Sequence, residues 1–89
     1  PEGITSNLRI EDLLPQGLRL DSMQLLTTAA STTLLAADFN GSFATTPTLG
    51  APVAGASTVT FDFDDVTVGS DNITNNNSFV VRVVATVQN

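Results

Sequence analysis

Cysteine, histidine, lysine, tryptophan and tyrosine are all missing from the 89 residues. Without cysteine there are no disulfides, no thiolate nucleophile and no thiolate metal ligand. Without histidine or lysine, the usual general base, Schiff-base former and amine nucleophile are gone. The lack of lysine also excludes the lysine–Asn/Asp isopeptide cross-links that rigidify many surface repeats. Paired carboxylates alone can cleave glycosides, but without Trp or Tyr there is little for a sugar to stack on, which also disfavours a carbohydrate-binding accessory domain. The expectation is a protein that is not an enzyme.

Basic charge is scarce too. Three arginines, Arg9, Arg19 and Arg82, stand against nine acids, for a net charge of -6. Nucleic acid and anionic membrane surfaces are both bound through clustered Lys or Arg, so neither is an expected partner. No apolar run approaches the roughly 18 residues that would span a bilayer, and membrane insertion is not expected. The chain opens "PEGITS" without methionine and reads as an excised or processed piece, or one repeat, of a longer chain.

What is present is threonine, serine, asparagine, alanine and valine, a composition suited to half-buried strands. A single β-module over residues 1–89 follows. So small a chain buries only about two-thirds of its unfolded surface. Lacking disulfides, it is left with packing, strand pairing, metal or repetition for stability.

Period-2 patterning marks the strands. In "SFVVRVVATVQN", Phe79, Val81, Val83, Ala85 and Val87 share one face, opposite Val80, Arg82, Val84, Thr86 and Gln88. In "STVTFDFD", Val59, Phe61 and Phe63 oppose Thr58, Thr60, Asp62 and Asp64. These two segments could form a hairpin or lie in opposite sheets. "SNLRIED" sets Leu8 and Ile10 on one face; Pro15 and Gly17 then break the run. "LRLDSMQLL" has a mixed pattern that fits a strand better than a helix, because the threonines after it are poor helix formers. A break is expected near "TTAAST", a turn at Asn40-Gly41, and an exposed loop over "TTPTLGAPVAGAS".

The stretch "FDFDDVTVGSDNITNNNS" is the densest in polar groups. Oxygen ligands suit calcium, and Asp62, Asp64, Asp65 and Asp71 are the candidate ligands. The spacing is not that of a helix-loop-helix calcium site, so a solvated acidic face with a polar connecting loop is the plainer reading. Asn40, Asn72 and Asn76 each begin a glycan acceptor triplet, a pattern that arises easily where Ser and Thr are abundant. The polar faces carrying Thr58, Thr60, Thr86 and Gln88 suit stacking against a like module.

The elements "LRIEDLLPQGLRLDS" and "VTFDFDDVTVGSDNITNNNSFVVRVVATVQN" resemble a conserved repeat domain, of unknown function, in large bacterial and archaeal cell-surface proteins. Asp12, Leu14, Pro15, Gly17 and Leu18 match its "D-x-L-P-x-G-L" element. Phe61, Asp62, Phe63, Val66, Thr67, Asp71 and Asn72 match its closing strand and the Asn/Asp-rich segment after it. The resemblance implies an all-β, immunoglobulin-like antiparallel β-sandwich acting as a stalk, adhesive repeat or filament subunit at the cell surface. It departs from the family in two ways. Asp64 or Asp65 stands where many members carry glycine. The "T-V-T-V-T-N" strand that usually precedes the segment beginning near Ile4 is missing. That second departure implies an open edge, completed by the preceding segment or by strand addition from a neighbouring chain. The functional expectation is a structural or adhesive extracellular module that pairs with like modules or a homo-polymer; the alternative is a calcium-dependent binding module.

Overall fold

A computed structural model describes residues 2–47 and 58–88. Its architecture is all-β and sandwich-like, with two antiparallel sheets. The strands are β1 (Gly3–Leu13), β2 (Leu18–Leu26), β3 (Gly41–Phe43), β4 (Thr58–Val68) and β5 (Val80–Val87). One sheet has the order β1-β4-β3 and the other pairs β2 with β5. The only helical turn among the described residues is Ala29–Ser31, a single 3-10 turn where the break near "TTAAST" was expected. No helix among the described residues is long and apolar enough to cross a membrane.

The alternation read from sequence places the core. Phe61, Phe63 and Val66 of β4 are buried, packed against Leu8 and Ile10 of β1, Met23 and Leu25 of β2, and Val81 and Val83 of β5. The segments carrying Phe61 and Phe79 lie in opposite sheets, which resolves the choice left open between hairpin and sandwich. Much of the expected loop at "TTPTLGAPVAGAS" falls outside the described residues.

The mixed pattern of "LRLDSMQLL" has a local cause. Leu18 and Leu20 face Val87 and Ala85, then the register shifts so that Ser22 faces Val84 and Met23 faces Val83. Asp21 is the extra residue, and a one-residue bulge changes which face the following side chains occupy. Its carboxylate accepts from Arg19 Nε at 3.0 Å and from the Thr86 hydroxyl. Leu20, before the bulge, is fully buried, and Met23 and Leu25, after it, still reach the core.

A second irregularity is shared by two strands. β1 and β4 pair from Leu13↔Thr58 to Arg9↔Asp62, are disrupted around Leu8↔Asp64, and resume in the original register at Thr5↔Val66. Asn7 and Asp64 both take φ 55° there. Because each strand changes phase, the inward sets switch together: Leu8 and Ile10 give way to Thr5, and Phe61 and Phe63 give way to Val66 and Val68. Asp64 thus occupies the left-handed conformation that glycine favours, and Asp is one of the few other residues to tolerate it.

Two glycines are required by geometry. Gly17 has φ 93° in the turn closed by Leu18 N donating to the Pro15 carbonyl at 3.3 Å, and Leu14 beside it is buried. Gly41 was expected to sit in a turn with Asn40. It instead begins β3, and a Cβ there would lie 2.3 Å from the Phe39 ring and 2.6 Å from the Thr67 carbonyl oxygen. The ring that covers Gly41, and no turn, accounts for the Asn-Gly pair.

The Asp64 conformation gives a test. Asp64→Gly is expected to hold the thermal midpoint or raise it slightly, whereas Asp64→Val should lower stability by about 1–2 kcal/mol. Equal losses from both variants in calorimetry would mean that the Asp64 side chain, and not its backbone angle, matters.

Candidate functional site

The Asp and Asn residues singled out from sequence separate into two groups at different heights on the molecule. The first lies at the paired irregularity of β1 and β4. Asp62 and Asp64 point to solvent, as β4's alternation requires. Asp62 Oδ1 accepts from the Asp64 amide at 2.9 Å, and Asp65 Oδ1 accepts from the Asn7 amide at 3.2 Å. These bonds satisfy backbone groups that the interrupted ladder releases, a common use of Asp beside a bulge. Asn7, Arg9, Thr45, Asp62 and Asp64 rim a shallow open hollow of about 450 Å³. Arg9 stands opposite Asp62 in the register. Its only ion pair among the described residues is a long, exposed one to Glu11 at 3.9 Å, of little energetic weight.

The second group ties the far end of the sandwich together. Asp71 Oδ2 accepts from Asn40 Nδ2 at 2.9 Å and from Asn76 Nδ2 at 2.7 Å, while its Oδ1 accepts from the Ile73 amide at 2.9 Å. The Asp71 amide in turn donates to the Glu2 carboxylate at 3.3 Å. Backbone bonds run alongside: Asn40 N to Asn76 O at 2.8 Å, and Gly69 N to Asn40 O at 2.9 Å. One carboxylate thus joins the lead-in to β3, the end of β4 and the connection to β5. The hydrogen bonds from Asn76 and then from the Ile73 amide, with a smaller one from Asn40, outweigh desolvation and hold the Asp71 carboxyl down to about 2.

For the calcium candidates, this arrangement puts Asp71 past the Val68 end of β4. Asp64 to Val68 alone spans roughly 13 Å at a strand's rise per residue. Among the described residues, no three acidic side chains gather into a group able to hold a metal ion. The acceptor asparagines divide as well. The amide nitrogens of Asn40 and Asn76 are engaged by Asp71, so a glycan on either would have to displace that bond. Asn72 is exposed, with φ 60°. An apolar groove of about 200 Å³ lies between the sheets at the same end, lined by Thr5, Leu8, Phe39, Val66, Val68, Asn77 and Phe79.

Neither group assembles a nucleophile, a base and a site for developing charge. Sequence reasoning missed the clasp around Asp71, whose contacts with Asn40 and Glu2 bridge 31 and 69 residues. Its local half was readable: Asp71 with the Ile73 amide is the Asx-turn that Asp favours. No family profile, curated protein or solved structure matches this chain.

Two measurements test this geometry. A carboxyl whose folded pKa is depressed stabilises the fold above its unfolded value, near 3.8, and that contribution fades as pH falls through the folded value of about 2. Asp71→Asn should therefore lower the midpoint at pH 7 and flatten its decline between about pH 4 and 2; an unchanged acid slope would contradict the clasp. Millimolar calcium should leave the midpoint of the intact chain where it is, since one site held at even 100 times its Kd would add about 2.7 kcal/mol.

Proposed function

We propose that this chain is a non-catalytic structural or adhesive module of a microbial extracellular or cell-surface protein, an immunoglobulin-like β-sandwich that works by strand pairing and packing against like modules. The observation that carries this reading is the path of the chain. Gly3 pairs with Val68 at one end of the sandwich, and Val87 pairs with Leu18 at the other. Residues 2 and 88 therefore lie at opposite poles, as a module passing load or length along a series needs.

The dimensions agree. The molecule extends 48 × 27 × 19 Å, and its radius of gyration of 14.7 Å exceeds the roughly 12 Å of a compact domain this size. Glu2 is bonded to the Asp71 loop at one pole, while at the other Gln88 N donates to the Gly17 carbonyl at 2.6 Å. Both poles of the sandwich are thus tied into the fold. Composition adds support: a chain without cysteine or lysine, rich in Thr, Ser and Asn, suits a secreted scaffold. The short elements "DLLPQGL" and "FDFDDVT" favour the surface-repeat family they resemble.

The test is a comparison of one copy with two copies joined in tandem. Packing between modules should raise the thermal midpoint of the tandem by roughly 4–8 °C, the shift that about 1 kcal/mol produces in a domain of this size. Identical melting of single and tandem chains would remove the packing part of the proposal.

A further inference from the structure

Among the described residues the two open sheets have four free edges, and three of these are blunted. β3 is only three residues long. β1 is interrupted at Asn7 and turns the charged side chain of Asp12 toward its half-buried face. β2 carries the Asp21 bulge together with Arg19. Short strands, bulges and inward-pointing charges are the devices that discourage edge-to-edge pairing. β5 is neither short nor bulged and turns no charge inward; its one charge, Arg82, points to solvent. All eight of its residues, "VVRVVATV", pair with β2 without interruption, none has positive φ, and it contains no Pro, Gly or acid. Its other edge is unpaired among the described residues. Val84, on the outer face, is 45% exposed.

We infer that the free edge of β5 pairs antiparallel with β5 of a second copy, joining two two-stranded sheets into one four-stranded sheet about a twofold axis perpendicular to it. This rests on the proposed reading of like modules that pack together, and names the strand they use. Such an axis keeps equivalent faces on the same side, so the pairing must centre on a single residue. Centring on Arg82 would oppose two guanidinium groups. Centring on Val83 sets Arg82 against Val84, and centring on Val84 sets it against Thr86. Either allowed register leaves Arg82 facing an uncharged residue and sets valine or alanine opposite valine at the other central positions. It also keeps every acid of a chain with net charge -6 off the pairing edge.

The area sets the strength. An eight-residue edge is roughly 26 Å long and about 5 Å wide, a few hundred Å² at most, against roughly 800 Å² per partner in a stable complex. The dimer is therefore weak and reversible, at the transient end of the range of interfaces. Salt should strengthen it by screening the repulsion between two acidic chains.

Sedimentation equilibrium and amide hydrogen exchange of the 89-residue chain, from dilute to about 1 mM, provide the test. Expected are a monomer–dimer equilibrium and measurably slower exchange, at high concentration, of the β5 amides that point away from β2, with the edges of β1, β2 and β3 unaffected. Val84→Lys places a like charge against Arg82 or against its own equivalent. It should weaken association at least tenfold without moving the thermal midpoint, whereas Ile4→Lys, at an exposed position on the other sheet, should change nothing. A monomer at every concentration, association that survives V84K, or protection appearing on another edge would overturn the inference. A tandem stabilised relative to the single chain alongside a strictly monomeric single chain would overturn the β5 pairing alone. A dimer without tandem stabilisation would leave the pairing standing and remove end-to-end packing.

Discussion

With no covalent cross-link between them, the two sheets are held by side-chain packing, and four phenylalanines are placed to supply much of it. Phe43 and Phe63 project from the first sheet; Phe79 leads into β5 of the second; Phe39 lies on the segment crossing between them. Their ring centroids are 5.0–5.4 Å apart in five pairs, from tilted to a perpendicular Phe43–Phe79 contact. Edge-to-face and tilted geometries add about 0.5–1.5 kcal/mol per pair beyond the area buried, though pairs sharing rings do not sum. In a domain this small, that is a substantial part of its net stability. The Gly41 requirement follows from the same cluster, because the Phe39 ring occupies the space a Cβ would need.

The irregularities of the strands serve that cluster. β4 must bury Phe61 and Phe63 near one end and Val66 and Val68 near the other, and strict alternation cannot do both. The phase change at Asp64 reconciles them, and β1 must change phase at Asn7 to stay in register. The aspartates at this point are consequences of the backbone. Asp62 and Asp65 accept the amides that the broken ladder leaves free, and Asp64 tolerates the left-handed angle. A row of carboxylates that suggests ligand chemistry in one dimension thus has a structural explanation for each member.

How much of this was legible in the sequence depended on range. Period-2 alternation identified β5, the Thr58–Asp64 part of β4 and Leu8 and Ile10 of β1, because burial acts on neighbouring residues; Asp65 to Val68, beyond the phase change, read as connecting loop and are strand. The β2 pattern looked mixed for a reason visible only once Asp21 was known to be an extra residue. That reason lies in β5, 65 residues away at Thr86, where no local signal points. The Asp71 clasp divides the same way: its turn to Ile73 could be read from Asp followed by Asn, while its bond to Asn40 required knowing that the end of β4 meets the start of β3. Asn40-Gly41 misled, since the pair that usually makes a hairpin turn here answers to an aromatic ring packed over a glycine.

The residue types missing from the chain return as a constraint on its edges. Lysine is the residue most often used to keep a strand edge from pairing, and this sequence has none. Bulges, short strands and an inward acid are the means left, and each one disturbs the alternation that builds the core. β1 and β2 accommodate that disturbance because their partners shift with them or leave one residue unpaired. β5 has less freedom: Val81 and Val83 must meet the phenylalanine cluster, and every one of its residues has a partner in β2. A bulge there would turn a valine outward from the core. A strand whose valines close the core against β4 thus cannot take the bulge that would blunt it, and among the described residues its outer edge stays open for the same reason that the two sheets hold together.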